Sequence, residues 1–152
     1  MHAVFTQPGV RRYIFDDAII PREQTVELIA QSVTLFAERQ FGLWLARTAA
    51  EDLIGFGAFW FFRDPPELEL LYGVADADVG RGYGREIGRA VVRYGFDVLH
   101  MPVIRASMDY GHVRSTRLVE DLGFAFDRRA TVGGLDTVFY VATRPPEGGG
   151  ET

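Results

Sequence analysis

Three glycines in five residues, Gly80, Gly82 and Gly84, stand between an apolar run and a long helical stripe, and no other feature constrains this chain as much. The run is Glu67–Ala75, with Leu68, Leu70, Leu71, Tyr72 and Val74, which predicts a strand. The stripe is Ile87, Ala90, Val91, Tyr94 and Val98, which predicts a helix from Gly82 to Leu99. A strand that turns through glycines into a helix gathers backbone N–H groups at one place. Glycine lets the chain bend sharply and lie close to a ligand. The first N–H groups of a helix have no partners inside it and carry the positive end of its dipole. The loop is therefore a cradle for an anion such as phosphate, and Arg81 adds a full positive charge.

Several owners of such a cradle compete. A nucleotide P-loop needs Gly-Lys-Ser/Thr before the helix, and all 16 basic residues here are arginine. A dinucleotide fingerprint needs glycines at 80, 82 and 85, but position 85 is Arg. Asp109 imitates the ribose-binding acid of that fold, yet only one strand–helix–strand crossover is expected here. A plain glycine-rich turn without a ligand is the remaining alternative.

The rest of the chain sets the context. Residues 1–20 give no clear element, and Pro8 and Gly9 should break any long one. Pro21 can open a helix at its first turn. Val26, Leu28, Ile29, Val33 and Phe36 then recur at helical spacing, so 22–39 is an expected amphipathic helix, ended by Gly42. Leu43–Arg47 and Leu53–Phe62 follow as strands. The second carries Phe56, Phe59, Trp60, Phe61 and Phe62, which cannot all face one way; one side should be core and the other a pocket wall or a helix contact. Inside the Gly82–Leu99 helix, Gly88 and Gly95 cost helix propensity and suggest close packing on a sheet. Val103–Met108 is a further strand, Val113–Leu122 a short helix ended by Gly123, and Phe124–Thr131 and Leu135–Thr143 a hairpin around Gly133-Gly134. The expected fold class is α/β in layers, a mixed sheet with helices on both faces. Residues 1–144 should form one domain, and Pro145–Thr152 a mobile tail.

Bulk properties narrow the function. A net charge of −5 argues against a nucleic-acid surface. No cysteine is present, which excludes disulfides, thiolate catalysis and cysteine-based metal sites, and fits the cytoplasm. His2, His100 and His112 are too scattered for a metal. No apolar run is long enough to span a membrane, and the N-terminus lacks a signal layout.

Four segments in order carry a family resemblance: Glu69-Leu70-Leu71-Tyr72-Gly73-Val74, the loop Gly80-Arg81-Gly82-Tyr83-Gly84-Arg85-Glu86, the helix through Tyr94-Gly95-Phe96, and Ser115 with Leu122-Gly123-Phe124. Together they resemble the GNAT superfamily of N-acetyltransferases, and within it the branch that includes ribosomal-protein N-terminal acetyltransferases. The match covers residues 42–143, more weakly back to Val10-Arg11-Arg12-Tyr13. It implies a mostly antiparallel sheet of six or seven strands and acetyl-CoA as cosubstrate. The strand at Leu71, Tyr72 and Val74 would splay from its neighbour and pair with the pantetheine amides. The N–H groups of Val79, Gly80, Arg81, Gly82, Tyr83 and Gly84 would hold the pyrophosphate. His112 stands where the family usually has asparagine, three residues before Ser115. Val79 replaces the usual Gln or Arg, Val119 replaces a tyrosine found on the last helix, and the family's first strand has no counterpart. The sheet edge left open should be covered, a second copy of the chain being one candidate.

The implied reaction is attack of a primary amine, on a small molecule or a peptide or protein N-terminus, on the thioester. An ammonium with a pKa of about 10.4, or about 7.7–8.0 for an α-amine, must first lose a proton. A carboxylate can take it, and Glu69 is the candidate base, with Glu67 the alternative. Ser115 is the candidate proton donor to the leaving thiolate, ahead of Tyr110 and Tyr140. A catalytically weak acyl-CoA-binding or interaction module on the same fold is the competing reading. The chain holds no lysine, so it cannot acetylate a lysine of its own.

Overall fold

The computed structural model describes residues 1–144; the expected mobile tail, Pro145–Thr152, lies outside the described residues. Six strands form one sheet in the order β1-β2-β3-β4-β6-β5. They are β1 (Leu43–Arg47), β2 (Leu53–Phe62), β3 (Glu67–Val74), β4 (Val103–Asp109), β5 (Ala125–Val132) and β6 (Leu135–Thr143). All neighbours run antiparallel except β3 and β4, which are parallel. The parallel pair is joined by the helix crossover that a parallel connection requires. The helices are α1 (His2–Phe5), α2 (Pro8–Ile14), α3 (Arg22–Arg39), α4 (Tyr83–Asp97) and α5 (Val113–Asp121). No helix among the described residues is long and apolar enough to cross a membrane.

The six strands and three long helices stand where the sequence pattern predicts them, within a residue or two. The N-terminal segment does not. Two short helices precede α3, because Pro8 sits in the first turn of α2, where its missing N–H removes nothing a helix needs. Pro21 precedes α3 as its cap residue, and α3 ends at Gln40 in the left-handed region, not at Gly42. Gly42 serves another purpose: a side chain there would overlap Ser32 and Phe36.

The buried face of α3 also differs from the apolar stripe. Val26, Ile29 and Val33 are exposed, while Thr25, Ser32 and Leu35 are buried. Two polar contacts fix this rotation. Leu43 donates its N–H to Ser32 Oγ at 2.8 Å, and the His2 ring meets Thr25 Oγ1 at 2.8 Å. Buried hydroxyls need partners, and these partners exist on only one side of the helix.

The aromatic strand β2 builds a core on each face of the sheet. Phe56 packs edge-on to Phe5 at 5.2 Å, with Val4, Val10 and Ile20 around it. Phe59 faces the other way, toward Val91 and Phe96 of α4 and Ile104 of β4. Both rings are fully buried. Gly95 brings α4 onto the sheet, since a Cβ there would lie 2.6 Å from Phe59 and 2.8 Å from Ile104. Gly88 instead admits Leu122, just beyond the end of α5, so its close packing is not on the sheet.

Gly55 of β2 faces the carbonyl oxygen of Gly73 on β3, and a Cβ there would collide with it. Backbone cannot move aside as a side-chain tip can. Gly55→Ala should therefore lower the unfolding free energy by about 1–3 kcal/mol, measured by urea titration.

Candidate active site

β3 and β4 are joined by a single rung, Glu69 opposite Arg105. β3 is paired with β2 along its whole length, and β4 with β6 along its whole length. Beyond Glu69 and Arg105 the two strands part. Strand groups that face such a gap have no ladder partner, so they are available to a ligand. A cavity of about 770 Å³ occupies the gap, within the range of small-molecule sites.

The glycine loop closes one end of this cavity. Gly80 and Gly82 both have φ of +85°, a conformation that favours glycine. Gly82 is the cap residue of α4, whose first helical bond runs from the Glu86 N–H to the Gly82 carbonyl at 3.2 Å. The N–H groups of Tyr83, Gly84 and Arg85 thus have no acceptor within the helix. Gly84 is closely approached: a Cβ there would lie 3.1 Å from the side-chain tip of Leu118 of α5, which would have to give way slightly. Val79, Gly80, Gly82, Tyr83 and Gly84 all line the cavity. Arg81 does not: its side chain is largely exposed and 3.7 Å from Asp78. Arg85 takes that place, lining the cavity and paired with Asp121.

Leu71, Tyr72 and Val74 form the β3 wall, and His112 and Ser115 lie opposite. The Tyr72 hydroxyl hydrogen-bonds Ser115 Oγ at 2.6 Å. Burial raises the Tyr72 pKa, partly offset by the Ser115 hydrogen bond and by Arg114, so the phenol keeps its proton at neutral pH. The sequence pointed to this tyrosine for its backbone alone. Strand parity was the missed signal: Leu70, Tyr72 and Val74 share a face, and that face meets α4 and α5. The tyrosine expected on the last helix is replaced by Val119, which is buried in the cavity wall. Tyr110 and Tyr140 are not in the cavity; Tyr110 is exposed under Arg129, and Tyr140 donates to Glu120 at 3.3 Å. None of the aromatic residues 56–62 lines it either.

Glu69 lies at the point where the strands part, with only 2% of its surface exposed. Oε1 pairs with Arg63 Nη1, and Oε2 accepts from Ser107 Oγ at 2.6 Å. Arg63 also donates to Ser107 Oγ at 2.6 Å and lies 4.7 Å over the Phe139 ring. Ser107 lines the cavity; Glu69 does not. Glu67 is half-exposed on the outer side of the same arginine, at 3.3 Å. Ser107 is a residue that sequence reasoning did not single out.

His112 stacks on Tyr13 of α2, with centroids 3.6 Å apart and planes 12° from parallel. This contact ties the N-terminal helices to the turn between β4 and α5. Burial, then Arg114 and Arg12, lowers the His112 pKa from 6.5 to about 4. Close by, burial and then Asp16 raise the Asp109 pKa. No group of three or more His, Cys, Asp or Glu side chains among the described residues could hold a metal.

A sequence profile of the acetyltransferase (GNAT) domain matches residues 1–125. The chain belongs to the GNAT acetyltransferase family. Solved structures of similar fold include a ribosomal-protein-alanine N-acetyltransferase from Brucella melitensis, 20% identical, with TM-score 0.77 over 93% of this chain and 91% of that one. A spermidine N-acetyltransferase from Vibrio cholerae, in complex with CoA and spermine, is 15% identical, with TM-score 0.75 over 94% and 87%. An aminoglycoside acetyltransferase in complex with coenzyme A is 17% identical, with TM-score 0.74 over 94% and 87%.

The His112 environment sets a pH dependence. The unfolded chain binds a proton at 112 below pH 6.5, and the folded one only near 4. Stability is thus fully present above 6.5 and is lost as pH falls through that window. Melting temperatures from pH 7 to 4 should fall less steeply in His112→Gln than in the wild type.

Proposed function

We propose that this GNAT member moves an acetyl group from acetyl-CoA to a primary amine, by direct attack of the amine on the thioester. The observation that carries this reading is the parting of β3 from β4 past one rung, with a glycine-capped helix at one end of the gap and a buried carboxylate at the other. The N–H groups of Gly80–Gly84 hold the pyrophosphate, with Arg85 beside them. The backbone of Leu71, Tyr72 and Val74 meets the pantetheine amides, across from His112 and Ser115. The Arg81 side chain, turned away from the cavity, adds only long-range attraction.

Glu69 is the base of this reading. It receives the proton that leaves the nitrogen as the N–C bond forms and the C–S bond breaks. Ser115 protonates the leaving thiolate, the Tyr72 hydroxyl bonded to it replenishes that proton, and water entering as CoA leaves returns a proton to Tyr72. The demand on this acid is small, since a thiol pKa of about 8.5 lies close to neutrality.

The acceptor class rests on weaker support. Proteins of this fold carry names that specify spermidine, aminoglycosides and a ribosomal-protein alanine, all amines. A net charge of −5 mildly favours a cationic acceptor.

Thermal unfolding with acetyl-CoA tests the binding half of this reading. A ligand at 100 times its Kd adds about 2.7 kcal/mol; no shift at millimolar acetyl-CoA rejects it. Thiol release against spermidine, an aminoglycoside and a peptide with N-terminal alanine tests the transfer. Glu69→Gln should lower turnover by about 10²–10⁴-fold while keeping the acetyl-CoA shift. Unchanged turnover in that variant removes Glu69 as the base.

A further inference from the structure

Glu69 faces a difficulty as a base that acts directly. Its carboxylate is buried, both oxygens are engaged, and the cavity wall does not include it. Ser107 stands between. Ser107 lines the cavity, and its hydroxyl oxygen lies 2.6 Å from both an Arg63 nitrogen and Glu69 Oε2.

The direction of these bonds is forced. A guanidinium only donates, so Ser107 Oγ must accept from Arg63. An ionised carboxylate only accepts, so the single Ser107 proton must point at Glu69 Oε2. One lone pair of Oγ is then left over, on a residue that borders the cavity. The serine is thus an acceptor for a donor in the cavity and already a donor to the carboxylate. That is the arrangement of a one-hydroxyl proton wire.

We infer that Ser107 is a catalytic residue that relays the amine proton to Glu69. This rests on the acetyl-transfer reading above. As the amine nitrogen bonds the acetyl carbon and the C–S bond breaks, the N–H proton passes to Ser107 Oγ. The original Ser107 proton passes to Glu69 Oε2 in the same event. Ser107 ends as a neutral hydroxyl and Glu69 as a carboxylic acid. The thiolate takes its proton separately, on the Ser115 side. Arg63 acts through the others: two of its nitrogens grip Glu69 and Ser107 together, and it is a positioning residue.

The test combines variants with solvent isotopes, using the panel amine that the wild type turns over fastest. Ser107→Ala should lower kcat/KM by about 10²-fold or more, leave the acetyl-CoA melting shift unchanged, and be rescued by Ser107→Thr. The Ser107→Ala/Glu69→Gln double variant should be no slower than the slower single one, because the two act as a unit. In mixtures of light and heavy water the wild-type rate should curve downward, two protons being in flight, and become linear in Ser107→Ala.

Wild-type kcat/KM in Ser107→Ala beside an impaired Glu69→Gln overturns the relay and leaves the acetyltransferase reading standing. Additive losses in the double variant do the same. Should Ser107→Ala not fold, a linear isotope dependence in the wild type overturns the relay alone. An acetyl-CoA melting shift without turnover of any amine removes the transfer reading, and the relay with it.

Discussion

Everything at the site depends on how little holds β3 to β4. Each strand is fully paired on its outer side, and between them only Glu69 and Arg105 form a rung. A sheet normally closes such a gap, because unpaired backbone groups cost free energy when buried. Here the gap stays open and forms the walls of a cavity. The elements that follow the two strands then arrive at its mouth: the glycine loop and α4 after β3, the His112 turn and α5 after β4. The position of the anion cradle and of Ser115 is a consequence of where these strands separate.

Different groups stand at the two ends of the gap between the strands. At one end, unpartnered N–H groups of the first α4 turn and the Arg85 guanidinium favour negative charge. At the other, Glu69 is buried and would be unsupportable alone, since an unpaired buried charge is very costly. Arg63 and Ser107 satisfy it. The arginine comes from beyond the end of β2, the serine from β4 and the glutamate from β3, so the cluster also pins the two half-sheets together where they part. Packing on both faces of β2, through Phe56 and Phe59, keeps that junction rigid.

Much of the frame was legible in the sequence. Strand and helix positions follow from local periodicity, and the glycine loop was found because left-handed and closely approached positions demand glycine. The two-sided burial of the β2 aromatics follows from alternation, whereas several other orientations differ from the pattern. Three of the five stripe residues of α3, Val26, Ile29 and Val33, point outward, while the buried Ser32 and Thr25 take their hydrogen-bond partners on the inner side. The Arg81 side chain, in the loop before α4, lies outside the cavity near Asp78, whereas Arg85 in the first turn of α4 lines it. Tyr110 and Tyr140 are the tyrosines the sequence offers as donors after Ser115; the one that reaches Ser115 is Tyr72, which the sequence points to for its backbone alone.

The sequence by itself determined the order of elements and the place of the glycine loop, and the resemblance of four ordered motifs pointed to the family. The first two rest on short-range rules: spacing along a helix, alternation along a strand, and the glycine that a turn requires. Tertiary structure alone decided which polar groups meet. Arg63, Glu69 and Ser107 lie 6 and 38 residues apart along the chain, and Tyr72 and Ser115 lie 43 apart. Contacts across such separations depend on sheet order and on what each strand face meets. Alternation along a strand groups residues by face, but no local pattern in the chain records what that face packs against.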